Sequence, residues 1–240
     1  PPLDTLDAAA QRACVSGRGV TMAKGTRSFA VIGLGAFGST VAAELSRFGN
    51  RVVGIDLDER RVAQMSNTLT SALILDTTDE GALREAGIDR YDVALVAIGD
   101  DLEASILTVM NLKLMGMEQL WVKAANKAHH RILAKLGVDR VILPEQEMGR
   151  HIAQMLNNPV LQDYVSLGNG YSVVNIVVPP RMTGRELTTL GLGTRFELRL
   201  LGLMRGTEFR HATEGTMLEA EDKLIVLGKR PDLRAFGDSL

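Results

Sequence analysis

From Arg27 onward the apolar positions fall into short runs separated by helical stretches. Phe29–Ile32 is an apolar run that stops at a glycine, and Phe37–Phe48 follows as a helix ending at Gly49-Asn50. Arg51–Ile55 reads as a second strand closing on Asp56, and Asp58 is placed to cap a helix carrying Arg60, Arg61, Val62 and Met65. Ala72–Leu75 is a third strand, Glu80–Ala86 a short helix, and Val93–Ala97 a fourth strand. Leu102, Ile106, Val109, Met110 and Leu114 recur at helical spacing across 102–115. A strand at Leu120–Val122, a helix at His130–Leu136 and a strand at Arg140–Leu143 complete the series. Short apolar strands alternating with helices predict a parallel sheet covered on both faces. Six such strands predict an α/β fold of the Rossmann type, a doubly wound sheet.

After Leu143 the rhythm changes. Pro144-Glu145 opens a further helix, 147–156, which Asn157-Asn158-Pro159 breaks. Strands are expected at Ser172–Val178, Phe196–Met204 and Lys223–Leu227, with a short helix at Leu187–Leu190, which suits a small α+β domain. The expected organisation is a disordered leader at 1–25, a nucleotide-binding domain at 26–166 and a C-terminal domain at 167–240. Pro1–Gly25 has no apolar core of the signal-peptide kind, and Met22 reads as a natural start preceded by an upstream extension.

Composition narrows the function classes. Hydrophobic residues at 45% and charged residues at 23% fit a folded globular chain. A net charge of −2 gives no field for nucleic acid, so no nucleic-acid partner is expected. Cys14 is the only cysteine, which excludes an intrachain disulfide and a thiolate metal cluster. No stretch reaches the roughly 18 apolar residues that a membrane span needs.

The clearest motif is Gly33-Leu34-Gly35-Ala36-Phe37-Gly38, between the first strand and the first helix. In a phosphate-binding turn the first glycine permits the tight bend. The second lets the backbone approach the phosphates, and the third lets helix and strand pack closely. Asp56 ends the second strand, where a carboxylate accepts from ribose hydroxyls and repels a 2′-phosphate; Leu57 and Asp58 lie beside it. The other strand ends line the same crevice by position: Asp76 and Thr77, Ile98-Gly99-Asp100, and Lys123-Ala124-Ala125. Asp76 either accepts from an adenine amino group or caps the next helix. Lys123 either neutralises a phosphate or is a solvated strand-end lysine. His129, His130, His151 and His211 form no recognisable proton-transfer pair, and no Tyr-x-x-x-Lys, HExxH, GxSxG or Walker motif is present. A binding module rather than an enzyme is expected.

Phe29–Gly38, Val96-Ala-Ile-Gly99, Leu120-Trp-Val-Lys-Ala124, His129-His130 and Leu143-Pro-Glu145 resemble the cytosolic RCK (KTN) regulatory subunits of bacterial Ktr and Trk potassium-uptake systems, most of all the KtrA type. The resemblance runs from about Lys24 to Asp238. It implies a homodimer that assembles to an octameric ring on a membrane potassium-translocating subunit of the KtrB or TrkH kind. The chain would then be cytoplasmic, peripheral to the membrane through that partner, and would bind ATP or ADP. The implied contacts are Gly33 to Gly38, Asp56, Asp76, Thr77, Ile98 to Asp100, Lys123 and His129. Glu145 matches a glutamate that reaches the nucleotide across a dimer interface and helps hold a cation, divalent or monovalent; its plainer role is a helix-start carboxylate. Many KtrA-type proteins carry arginine where this chain has Ala36, which puts discrimination of ATP over ADP in question. Some relatives bind cyclic di-AMP, but Leu187–Gly193 does not keep the polar pattern for it, so that ligand is not predicted. Met148, Ile152 and Met155 would form the dimer face of the helix after Leu143. The competing readings are a TrkA-like regulator that senses NAD(H) and a small NAD-dependent oxidoreductase.

Overall fold

The structure is a computed structural model and describes residues 26–157, 161–213 and 215–240. The expected leader therefore lies outside the described residues. Clustering of contacts divides the chain into two compact units at Leu143/Pro144.

The first unit alternates strand and helix throughout. Its elements are β1 (Ser28–Ile32), α1 (Ala36–Arg47), β2 (Arg51–Asp56), α2 (Glu59–Met65), β3 (Ser71–Ile74), α3 (Glu80–Glu85), β4 (Val93–Val96), α4 (Leu102–Leu114), β5 (Leu120–Lys123), α5 (Lys127–Lys135) and β6 (Arg140–Ile142). The strands form one parallel sheet in the order β3-β2-β1-β4-β5-β6. Both faces are covered, which is why the strands read as unbroken apolar runs. One face packs Ala30, Ile32, Ile55, Val96 and Val122 against Leu83, Val109, Leu112 and Leu133. The other packs Val31, Val52 and Leu95 against Ala42, Val62 and Leu69. Side chains of Asp58, Asp79, Asp101 and Asn126 cap α2 to α5 at their N-termini, each accepting from a first-turn amide.

The strand order reverses between β1 and β4. Chain leaving β1 turns to one side and chain leaving β4 to the other, so their loops part and open a crevice at the carboxyl ends of the strands.

The second unit starts with α6 (Pro144–Asn157) and continues as β7 (Leu161–Gly168), β8 (Tyr171–Val177), α7 (Leu192–Arg195), β9 (Arg199–Arg205), β10 (Glu208–Arg210), β11 (Lys223–Lys229) and α8 (Arg230–Ser239). Its sheet is antiparallel, β10-β9-β11-β8-β7. Val174, Ile176, Leu203, Leu224 and Val226 pack on one face against Leu233, Phe236 and Leu240. The boundary expected near Leu167-Gly168 falls inside β7, which is hydrogen-bonded into this sheet. The strand expected from Phe196 starts at Arg199 instead. Phe196 ends α7 and packs edge-on against Phe236, and Glu197 takes a left-handed φ of 52° before pairing with β11 begins. On α6, Met148, Ile152 and Leu156 are exposed on one face.

One ion pair braces the second unit. The Asp222 side chain is fully buried and takes two hydrogen bonds from Arg205, Nε to Oδ1 and Nη2 to Oδ2, both at 2.9 Å. Arg205 also donates to the Met217 carbonyl and to Glu219. Burial alone would raise the Asp222 pKa, but the hydrogen bonds from Arg205 and the Glu219 amide outweigh it and hold the carboxyl below its ordinary value. A lowered native pKa stabilises the fold above the unfolded value of about 3.9, and that stability is lost as the pH falls through it. Asp222→Asn is therefore expected to lower unfolding stability by about 3 kcal/mol at pH 7, and to flatten its dependence on pH below 5, as read by denaturant melts across pH.

Candidate functional site

The three glycines of the β1–α1 turn meet three different constraints. Gly33 has φ +94°, and a Cβ there would lie 2.9 Å from the Ala97 carbonyl carbon at the end of β4. A Cβ on Gly38 would overlap the Gly33 carbonyl oxygen, so the first turn of α1 rests directly on the loop backbone. Gly35 differs from both: among the described residues, the only atom within 4 Å of a Cβ placed there is Arg61 Nη1, at 3.9 Å. The first and third glycines are thus required by packing, and the second opens onto free space. Gly35 is also the N-cap of α1, without a side-chain cap, and no acidic residue occupies the first turn of Ala36, Phe37 and Gly38. An anion above Gly35 would meet the positive end of the helix with no carboxylate in that turn competing.

Asp56 closes one side of the turn. Its side chain is 10% exposed; Oδ2 accepts from the Leu34 amide at 2.7 Å and Oδ1 from the Asp58 amide at 2.9 Å. The carboxylate keeps acceptor capacity for hydroxyl donors beside the loop. Leu57 next to it is exposed, and Asp58 caps α2.

The far side is built from β4 and β5. Ile98-Gly99-Asp100 leaves the end of β4, and a Cβ on Gly99 would sit 3.3 Å from Lys123 Nζ. Lys123 Nζ also lies 5.9 Å from the centre of the Phe37 ring. Lys123 is therefore held between the glycine-rich turn and the β4 loop, rather than extended into solvent as a strand-end lysine would be.

Burial changes the reading of several residues. Asp76 is exposed, and its Oδ1 accepts from the Thr78 amide and hydroxyl, which lowers its pKa. Oδ1 thus closes a local turn onto Thr78, and the cap of the next helix is Asp79 rather than Asp76. Thr77 is buried and bonds Thr108 Oγ1 at 2.7 Å, while Asn111 Nδ2 donates to the Thr77 and Thr78 carbonyls. Thr77 thus anchors the loop to α4 and does not present its hydroxyl to the crevice. Ala124 is fully buried and Ala125 exposed. His129 is 1% exposed, and its Nδ1 accepts from the Ala125 amide at 3.3 Å. That hydrogen bond ties α5 to the loop after β5. Glu145 lies in the first turn of α6, in the second unit. Among the described residues no three His, Cys, Asp or Glu side chains gather as a metal site. Arg61, Thr108 and Asn111 escaped the sequence reading as site residues because they lie on helices, away from the strand ends where contacts were sought.

The donors, the carboxylate and the open glycine give the crevice the features of a nucleotide site. The TrkA-N domain model matches residues 29–144 and the TrkA-C domain model residues 172–240. The chain is 36% identical to the Ktr system potassium uptake protein C of Bacillus subtilis (strain 168), over 88% of this chain and 96% of that protein. It is also 36% identical to the Ktr system potassium uptake protein A of Vibrio alginolyticus, over 88% and 97%. The chain belongs to the Ktr family of RCK regulatory subunits. Its fold, a Rossmann lobe followed by a small C-lobe, is also that of the GsuK channel, with a TM-score of 0.63 at 12% identity over 89% of this Ktr-family chain and 39% of that one.

Two outcomes test this account of the crevice in the Ktr-family chain. Gly38→Ala should destabilise the fold by about 3 kcal/mol, whereas Gly35→Ala should melt within a degree or two of the parent and lose at least about tenfold in nucleotide affinity; thermal melts with and without ADP separate them. Burial lowers the His129 pKa, so the native imidazole stays neutral. The unfolded chain takes up that proton near pH 6.5, so stability is full above this pH and declines as the pH falls below it. His129→Gln should flatten the decline between pH 6.5 and 5, measured by melts over that range.

Proposed function

We propose that this chain is the nucleotide-sensing subunit of a membrane potassium-uptake system, binding ATP or ADP at the β1–α1 turn and gating a separate potassium-translocating subunit. The observation that carries the reading is the open space above Gly35, set between an uncapped helix N-terminus and the Asp56 carboxylate. The adenosine ribose donates to Asp56, the phosphates lie over Gly35 and the first turn of α1, and Lys123 neutralises part of their charge. The chain works as a binding module on the cytoplasmic face, and no chemical step is assigned to it.

Regulation then requires two arrangements of the assembly that bind the ligand with unequal affinity. The exposed Met148, Ile152 and Leu156 on α6 are the surface for a second copy, and dimers close into a ring, octameric in this reading. Glu145, at the start of the same helix, is positioned by that pairing to reach the neighbouring copy's nucleotide. A cation held there takes its remaining ligands from the phosphates. No helix among the described residues is long and apolar enough to cross a membrane, so potassium moves through the partner.

A second reading has support from Asp56, which accepts equally from the adenosine ribose of NAD(H); the GsuK channel, which has the same fold, has a structure bound to NAD. Titration of nucleotide-stripped protein with ATP, ADP, NADH and NADPH separates the two. Tight ATP and ADP with weak NADH supports the proposal, and tight NADH with negligible ATP overturns it in favour of an NAD(H) sensor. NADPH should bind weakly in either case, because a 2′-phosphate meets the Asp56 charge. Asp56→Ala should weaken the favoured nucleotide by at least about tenfold and impair potassium uptake in cells that depend on this system.

A further inference from the structure

Among the described residues, Arg61 is the one basic side chain within 4 Å of a Cβ placed on Gly35. It sits on α2, with Nη1 3.4 Å from Asp56 Oδ2 and Nε 3.7 Å from Asp58 Oδ2. The same Nη1 is the atom found 3.9 Å from a Cβ placed on Gly35. The first turn of α1 supplies no cation of its own, since it runs Ala36, Phe37, Gly38 and Ser39. Lys123 approaches the turn from the opposite side, beside Gly99 and Phe37.

The two contacts that Arg61 makes are long and half exposed, with 46% of its side chain accessible. Ion pairs of this kind contribute little. Asp56 does not depend on this one, because the Leu34 and Asp58 amides already engage both its oxygens at shorter distances. The guanidinium is therefore readily transferred to a better partner. A phosphate above Gly35 is such a partner, because its oxygens match the planar fork of arginine in two parallel hydrogen bonds.

Building on the nucleotide reading given above, we infer that Arg61 is a specificity-determining residue of the crevice, one that exchanges Asp56 for the phosphates nearest the ribose. Asp56 reads the ribose and Arg61 reads the phosphate chain, so the pair together selects a 5′-phosphorylated nucleoside over the bare nucleoside. Since Arg61 belongs to α2, the exchange also ties that helix to the charge of the ligand.

The test compares adenosine with ADP on the full chain and on Arg61→Gln, with adenosine measured by its displacement of a fluorescent ADP analogue. ADP should weaken roughly tenfold and lose part of its salt dependence, while adenosine changes by less than about twofold. Arg61→Lys should recover part of the loss, because it keeps the charge without the fork. Equal weakening of adenosine and ADP would overturn the inference, showing that Arg61 serves only to hold Asp56. Unchanged ADP affinity in Arg61→Gln would overturn it as well. Failure of the parent chain to bind ADP would remove the nucleotide reading itself, an outcome visible before any variant is made.

Discussion

The crevice depends on a backbone contact that only α-carbons without a side chain allow. Gly38 rests on the carbonyl of Gly33, and Gly33 in turn lies against the end of β4. This brings α1 down onto the sheet at the point where the strand order reverses. It also aims the helix N-terminus across the carboxyl ends of the strands. Every other feature of the site uses that placement. Asp56 reaches back to the Leu34 amide because the loop passes close to the end of β2. Lys123, at the end of β5, reaches the Phe37 ring in the first turn of α1. The loops after β3 and β5 are then held by buried side chains that never enter the crevice, Thr77 with Thr108 and Asn111 on one side and His129 on the other.

Much of the first unit was legible in the sequence, because a parallel sheet buried on both faces leaves an unambiguous signal. Its strands are short apolar runs, and α2 to α5 each start at a capping Asp or Asn. The geometry of the turn was legible where it follows from backbone position, as for Gly33, Gly35, Gly38 and Asp56. It was not legible where function depends on which way a side chain turns. Thr77 and His129 stand at strand ends like their neighbours, yet tertiary packing encloses both, and nothing in a linear pattern separates a loop anchor from a ligand contact. Arg61 is the opposite case. It looks like one charge among several on α2, and only the fold brings it over Gly35.

The second unit was harder for a different reason. β7 leaves Val165 and Leu167 exposed, and β10 is short and exposed along its length, so neither carries a buried run to detect. α8 holds to the sheet through Leu233, Phe236 and Leu240 in an otherwise polar sequence. Such elements are specified by the sheet they cover more than by their own pattern. Membership of the Ktr family accounts for this unit as a C-lobe, while its stability rests on local devices such as the buried Asp222 and its arginine.

The doubly anchored Asp56 has a consequence for the time course of binding. Both oxygens of its carboxylate are engaged by backbone amides with no ligand required, so on the proposed nucleotide reading the side chain is oriented before a ribose arrives. Ordering a free side chain at an interface costs about 0.5–1.5 kcal/mol, and here the fold has met that cost in advance. A pre-shaped acceptor of this kind imposes no slow rearrangement on the incoming sugar. Arrival is then governed by diffusion and charge, and differences between ligands are expressed in how long each one stays. If the chain senses nucleotides as proposed, it would report the one that lingers, and residence time would couple metabolite level to signal.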